Sequence, residues 1–329
     1  MNFIKKYYLY IIVVLVGFGA GTLYVRENTA PKINEIPEKT GCQFKLINPL
    51  RCDGAVNPDQ VEYSVFKREL LAKLEAAKKR GDINEASLYF RDLNNGPIFY
   101  FNEQAEFTPM SLLKLPVMIA VYKYAEDNPR LLEEKLRTPA SFAQNSQIME
   151  KAKTLSPDTE YTIDEIVRYM IAYSDNRSID MLSKWLDSKG DNHELIRRTL
   201  SELGLVGYEA NLVDSKITVK QYVSIFRILY NASYLNPEMS EKALHTLEQT
   251  EFKDGLTARL PEDINVAHKF GVRAYDQGEQ QLHDCGIVYY ESAPYMLCIM
   301  TRGKDYSRLS HYIGDTSKAI FDEVKRRNQ

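Results

Sequence analysis

The spacing of apolar positions divides the chain into a short mixed region, a helical middle and a β-prone end. Val61, Tyr63, Phe66, Leu70, Leu71 and Leu74 recur at helical intervals before Gly81, which predicts an amphipathic helix over Asp59–Arg80. Two β-prone runs, Ala86–Arg91 and Pro97–Phe101, flank Asn94-Asn95-Gly96, a hairpin signal. Helical patterns then dominate, at Ser111–Glu126, Ile163–Tyr173, Arg177–Leu186, Glu194–Leu203 and Val219–Tyr230. β-prone runs return at Ile264–Tyr275, Cys285–Tyr290 and Tyr295–Thr301, and a closing helix covers Ser307–Lys325. Strands at both ends around a helical insertion predict an α+β fold: one antiparallel sheet flanked by helices, plus an all-helical lobe.

The N-terminus follows a different pattern. Lys5 and Lys6 precede an apolar run from Tyr7 to Val25, and Arg26 opens a polar stretch containing proline. About 19 residues is close to the roughly 20 that a helix needs to cross a bilayer. The basic flank therefore predicts a transmembrane anchor with its N-terminus in the cytoplasm. A cleaved signal peptide is the rival, because Gly17, Gly19, Ala20 and Gly21 are small, but no A-x-A-like site accompanies them. Both readings export the body, as a single-pass protein of the cell membrane with an extracytoplasmic domain, or as a secreted one if the anchor is cut. The expected domains are a stub and anchor over 1–26, a linker over 27–57 and a catalytic domain over 58–329.

Composition adds little. A 44% apolar and 26% charged chain is an ordinary globular protein, and a net charge of -3 without a dense basic cluster gives no reason to expect nucleic acid. A monomer is expected. The four cysteines suit export: Cys42 and Cys52 bracket a short segment, a candidate disulfide loop. Cys285 and Cys298 fall on neighbouring strands, either facing each other or as separate buried thiols. No Cys/His spacing points to a metal, and no cofactor is implied.

The chemistry lies in three short motifs in order: Ser111-Leu112-Leu113-Lys114, Ser174-Asp175-Asn176 and Lys269-Phe270-Gly271. A serine hydroxyl needs a base within reach, and a lysine three residues on shares its helical face. Pro109 marks the start of that helix, so Ser111 lies among unpaired N–H groups that suit an oxyanion. Burial of the following apolar run would lower the Lys114 pKa toward that of a base, and Pro116 predicts a kink just past the motif. Ser174 breaks two helical patterns, as Asp and Asn do when they cap, and can relay a proton to the leaving nitrogen while Asn176 binds the substrate amide. Gly271 lets substrate approach the strand closely, and Lys269 supplies positive charge. Further copies of these patterns, at Ser64-Val65-Phe66-Lys67, Lys79-Arg80-Gly81 and Lys253-Asp254-Gly255, lack partners at useful positions. None of the five histidines stands out, and His268 is expected on the strand face opposite Lys269.

With these motifs and the closing run Val266-Ala267-His268-Lys269, Asp284-Cys285-Gly286-Ile287-Val288-Tyr289, Thr301-Arg302-Gly303, the chain resembles the class A β-lactamases and penicillin-binding D,D-peptidases from about Asp59 to Val324. The resemblance implies Ser111 as the acylated nucleophile, Lys114 as its base and Lys269 as an electrostatic anchor. It also implies Ser174 and Asn176 in the roles above, and an oxyanion hole from the N–H groups of Ser111 and Val272. The implied substrate is a β-lactam or a peptidoglycan-type D-Ala-D-Ala amide. Two departures stand out. Phe270 replaces a hydroxyl residue that binds the substrate carboxylate, for which Arg273, on the face of Lys269, is a candidate substitute. The segment Gly204–Thr218, where a β-lactamase carries its water-activating glutamate, is short, and only Glu209 is a candidate deacylation base. A cell-wall D,D-carboxypeptidase or endopeptidase and a non-catalytic envelope-binding module are the alternatives.

Overall fold

The computed structural model describes residues 46, 64–94, 98–142, 153–190, 194–205, 215–273, 278–291 and 293–328. The apolar segment 7–25, the Cys42/Cys52 pair and Glu209 lie outside the described residues. Among those described, no helix is long and apolar enough to cross a membrane.

Helix α1 (Ser64–Arg80) leads into β1 (Glu85–Asp92) and β2 (Ile98–Phe101). The lobe follows: β3 (Glu106–Phe107), a 3-10 turn (Met110–Leu113), α2 (Lys114–Ala125), β4 (Lys135–Arg137), β5 (Glu160–Thr162), α3 (Ile163–Ala172), α4 (Asn176–Ser188), α5 (Glu194–Glu202), β6 (Ile217–Thr218), α6 (Val219–Tyr230) and α7 (Pro237–Glu248). The chain ends with β7 (Asn265–Arg273), β8 (Gln280–Tyr289), β9 (Tyr295–Gly303) and α8 (Tyr306–Arg327). Five strands form one sheet in the order β2-β1-β9-β8-β7, antiparallel at every pairing, which is the expected α+β architecture. Antiparallel order leaves β2 and β7 as its two edges.

Three features were not anticipated. Helix α7 is started by Asn236, whose side chain accepts the Met239 N–H, with Pro237 in the first turn. Two miniature sheets, β3–β6 and β4–β5, tie loops together through strands of two or three residues. The predicted helix Ser111–Glu126 is split, its first turn 3-10 and its α-helix starting only at Lys114. Pro116 therefore lies in the first α-helical turn, where its missing N–H breaks no intrahelical bond, and the α-helix continues through it from Lys114 to Ala125.

Two cores flank the sheet, and strand alternation assigns residues to each. Met296, Cys298 and Met300 of β9 join the core shared with the helical lobe, while Leu297 and Ile299 join the core under α1 and α8. Cys285 and Cys298 form a disulfide between β8 and β9. The lobe-side core also takes in Leu46, 6% exposed, whose N–H donates to the Glu241 carboxylate at 2.9 Å and whose carbonyl accepts the Tyr289 hydroxyl at 3.0 Å. The packed body thus begins N-terminal to the boundary expected at 58.

Candidate active site

The turn that carries Ser111 follows directly on β3. Phe107 is fully buried on β3, Thr108 and Pro109 follow, and Met110 adopts φ 51°, a left-handed conformation costly for a side chain of its size. Ser111 comes next in the 3-10 turn and is partly exposed, and its hydroxyl has no hydrogen-bond partner among the described residues. Lys114, one turn on, is 3% exposed. Its amine donates to the Ser174 carbonyl at 2.5 Å, the Ser174 hydroxyl at 3.1 Å and Asn176 Oδ1 at 2.6 Å. Burial lowers its pKa from 10.5 to about 7, against an opposing pull from Asp175. A buried lysine near neutrality can carry or give up a proton at small cost, as a general base must.

Ser174 lies between Tyr173, the C-cap of α3, and Asp175, the N-cap of α4, and φ 54° turns the chain there. Asp175 caps α4 from inside: its carboxylate accepts the Ser178 N–H at 3.2 Å and the Ser178 hydroxyl at 2.8 Å, fully buried. Capping and chemistry coexist, because the cap fixes the turn that aims Ser174 and Asn176 at Lys114.

The opposite wall is β7. Lys269, fully buried, donates to the Ser174 hydroxyl at 3.1 Å, so both lysines converge on one oxygen. Burial first, then repulsion from Lys114, pushes the Lys269 pKa well below the lysine range, with Asp284 opposing. Gly271 fits closely: a Cβ there would lie 2.9 Å from the Pro109 carbonyl oxygen and 3.1 Å from Leu112 Cγ. The edge polarity of β7 follows from parity. The Thr250 hydroxyl donates to the His268 carbonyl and the Lys269 amine to that of Phe270, so alternate residues turn their backbone groups away from β8. Val272 shares that parity, so its N–H also turns away from β8. Arg273 ends the strand, half-buried, on the alternation of Lys269.

Phe270 is 2% exposed, stacks on Phe252 with centroids 3.9 Å apart and joins the core under α1 and α8. Its ring centroid lies 4.1 Å from the Lys269 nitrogen. The residue acts as packing behind the lysine. His268 turns from the cleft as expected, its Nδ1–H donating to Asp284 Oδ1 at 2.9 Å in full burial. Ser64 and Lys67 of the second Ser-x-x-Lys lie on α1, across the sheet from the lobe.

Two polar residues that sequence patterns did not mark hold the Ser111 turn from behind. Gln281 Oε1 accepts the Thr108 N–H and His283 Nε2 donates to the Thr108 carbonyl, each at 3.1 Å. Among the described residues, no group of three or more His, Cys, Asp or Glu is arranged to hold a metal ion.

A serine hydroxyl and two buried lysines meet where the sheet edge faces the helical lobe, an arrangement that suits a serine hydrolase. The family model of the beta-lactamase enzyme family matches residues 68–324, and the chain belongs to that family. Among solved structures, a class A beta-lactamase from Bacteroides cellulosilyticus DSM 14838 is 17% identical over 78% of this chain and 98% of its own, with TM-score 0.63. PBP-A is 20% identical over 82% of this chain and 100% of its own, with TM-score 0.64. The TLA-3 extended-spectrum beta-lactamase is 16% identical over 78% and 98%, with TM-score 0.66. At these identities the likeness is one of fold. No curated protein matches the chain significantly.

Proposed function

We propose that this protein is a serine acyl-transfer hydrolase of the class A β-lactamase type, acting on a β-lactam or a D-Ala-D-Ala-like amide. The observation that carries the reading is the convergence of Lys114 and Lys269 on the Ser174 hydroxyl, with Ser111 one turn before Lys114. Neutral Lys114 takes the Ser111 proton as the hydroxyl oxygen attacks the amide carbonyl, and the N–H groups of Ser111 and Val272 receive the oxyanion. Ser174 passes the proton to the leaving nitrogen as the C–N bond breaks, leaving an ester on Ser111. Water then releases the acid, with Glu209 as the candidate base. Asn176 and Arg273 are assigned to the substrate amide and carboxylate. The apolar segment 7–25 anchors the protein with this body outside the cytoplasm.

Intact-mass spectrometry after exposure to a penicillin, followed over time, tests the reading. We expect one adduct on Ser111, absent in Ser111→Ala. No adduct in the wild type would leave a non-catalytic binding module as the better account.

A lasting adduct would favour the D,D-peptidase reading over the lactamase; a point mutant of PBP-A, similar to this chain in fold, is an acyl-enzyme complex with penicillin-G. Release of D-Ala from a short peptide beside slow hydrolysis of a chromogenic cephalosporin would favour it. Rapid cephalosporin turnover favours the lactamase.

A further inference from the structure

We propose that His283 is a positioning residue for the nucleophile, acting through the Thr108 carbonyl to hold the turn that presents Ser111; the inference rests on Ser111 being the acylated residue. Met110 is left-handed, a conformation that costs on the order of 1–3 kcal/mol and persists only where its surroundings over-determine it. The structure supplies those constraints on both sides. Upstream, Thr108 is held at three atoms: its N–H by Gln281 Oε1 at 3.1 Å, its carbonyl by His283 Nε2 at 3.1 Å and its hydroxyl by Lys216 Nζ at 3.0 Å. Downstream, the Leu112 N–H returns to the Pro109 carbonyl at 3.0 Å, and the Tyr222 hydroxyl holds the Leu112 carbonyl at 3.0 Å.

His283 suits its place because its two ring nitrogens have opposite jobs. Nδ1 accepts the backbone N–H of Thr301 on β9 at 3.2 Å, so the proton of the neutral ring lies on Nε2, the atom that meets Thr108. Full burial lowers its pKa to about 4, which keeps the ring neutral and this tautomer fixed. Phe107 stacks edge-on against the ring at 5.2 Å and limits its rotation. One imidazole thus joins β9, β8 and the nucleophile turn in a single line of hydrogen bonds.

The two nitrogens can be removed separately. His283→Asn places its carbonyl where Nδ1 was, keeping the Thr301 bond and losing the one to Thr108. His283→Gln places its amide nitrogen where Nε2 was, keeping the bond to Thr108 and losing the one to Thr301. We measure the acylation rate and the non-covalent affinity for a fluorescent penicillin, thermal stability, and hydrogen exchange of the peptide over 107–113. A positioning role predicts acylation slowed about 10- to 100-fold in His283→Asn with affinity unchanged, since misplacement of about 1 Å costs that much. It predicts acylation within about threefold of wild type in His283→Gln, and faster exchange of the Thr108 and Leu112 amides in the Asn variant alone. Equal loss in both variants, loss that tracks melting temperature, or equal exchange would overturn it. Should His283→Asn fail to fold, His283→Gln decides: acylation slowed more than about tenfold there, with the donor to the Thr108 carbonyl kept, would count against the proposal. A wild type that never labels would refute acylation itself, and the exchange experiment would still decide whether His283 holds the turn.

Discussion

At the scale of single residues, the site depends on taking an ordinary lysine out of water. Lys114 has no carboxylate within hydrogen-bond distance among the described residues; its acceptors are a carbonyl, a hydroxyl and an amide oxygen. Desolvation therefore prevails, and its pKa falls to about 7. The sign of the pH effect follows. Below about pH 7 the folded enzyme holds a proton on Lys114 and has no base, so acylation should fall about tenfold per pH unit and level off above that pH. Stopped-flow penicillin acylation between pH 5 and 9 checks this, and a flat profile would rule out Lys114 as the base. Lys114→Ala should slow acylation by about 10²- to 10⁴-fold. These residues were legible because the motif confines serine and lysine to one helical turn. The left-handed Met110 and the His283 and Gln281 contacts were not, since their partner Thr108 lies 173 to 175 positions away in sequence.

At the scale of elements, the sheet shows which sequence signals survive folding. The long strands were legible from β-prone runs, but β7, β8 and β9 are buried on both faces, so alternation of apolar and polar residues could not fix their ends. Helix α7 escaped notice because its inward face includes Ser240 and Thr246, which interrupt the apolar stripe; Asn236-Pro237 was its clearest marker. The β3–β6 and β4–β5 pairs are too short to carry a period. Register places Lys269, Cys285 and Cys298 in one row across β7, β8 and β9, so the disulfide lies directly beside Lys269. It closes a sequence separation of 13 residues. Replacing both cysteines with alanine should cost about 3 kcal/mol of stability, read as a lower midpoint in urea at an unchanged slope. An unchanged midpoint would show that the hairpin is held by its ladder alone.

At the scale of the whole molecule, Leu46 ties a segment expected to be a linker to the body. Its side chain lies in the lobe-side core and both its backbone groups are held, by Glu241 of α7 and Tyr289 of β8. Burying a leucine contributes about 1.5–3 kcal/mol. A protein beginning at residue 58 should therefore unfold at lower denaturant than one beginning at 42, and Leu46→Ala in the longer form should reproduce part of the difference. Equal midpoints would show that the contact adds nothing. The fold class and the three motifs were legible because they are local patterns; the docking of residue 46 depends on groups 195 and 243 positions later and leaves no trace nearby. The placement of Ser174 has a separate consequence. Its hydroxyl is shared by one amine from the lobe and one from the sheet edge, so neither layer owns the machinery. Parting them by a couple of ångströms would silence the enzyme while every helix and strand stayed intact, and circular dichroism would then overstate the competent fraction that a covalent penicillin tag counts.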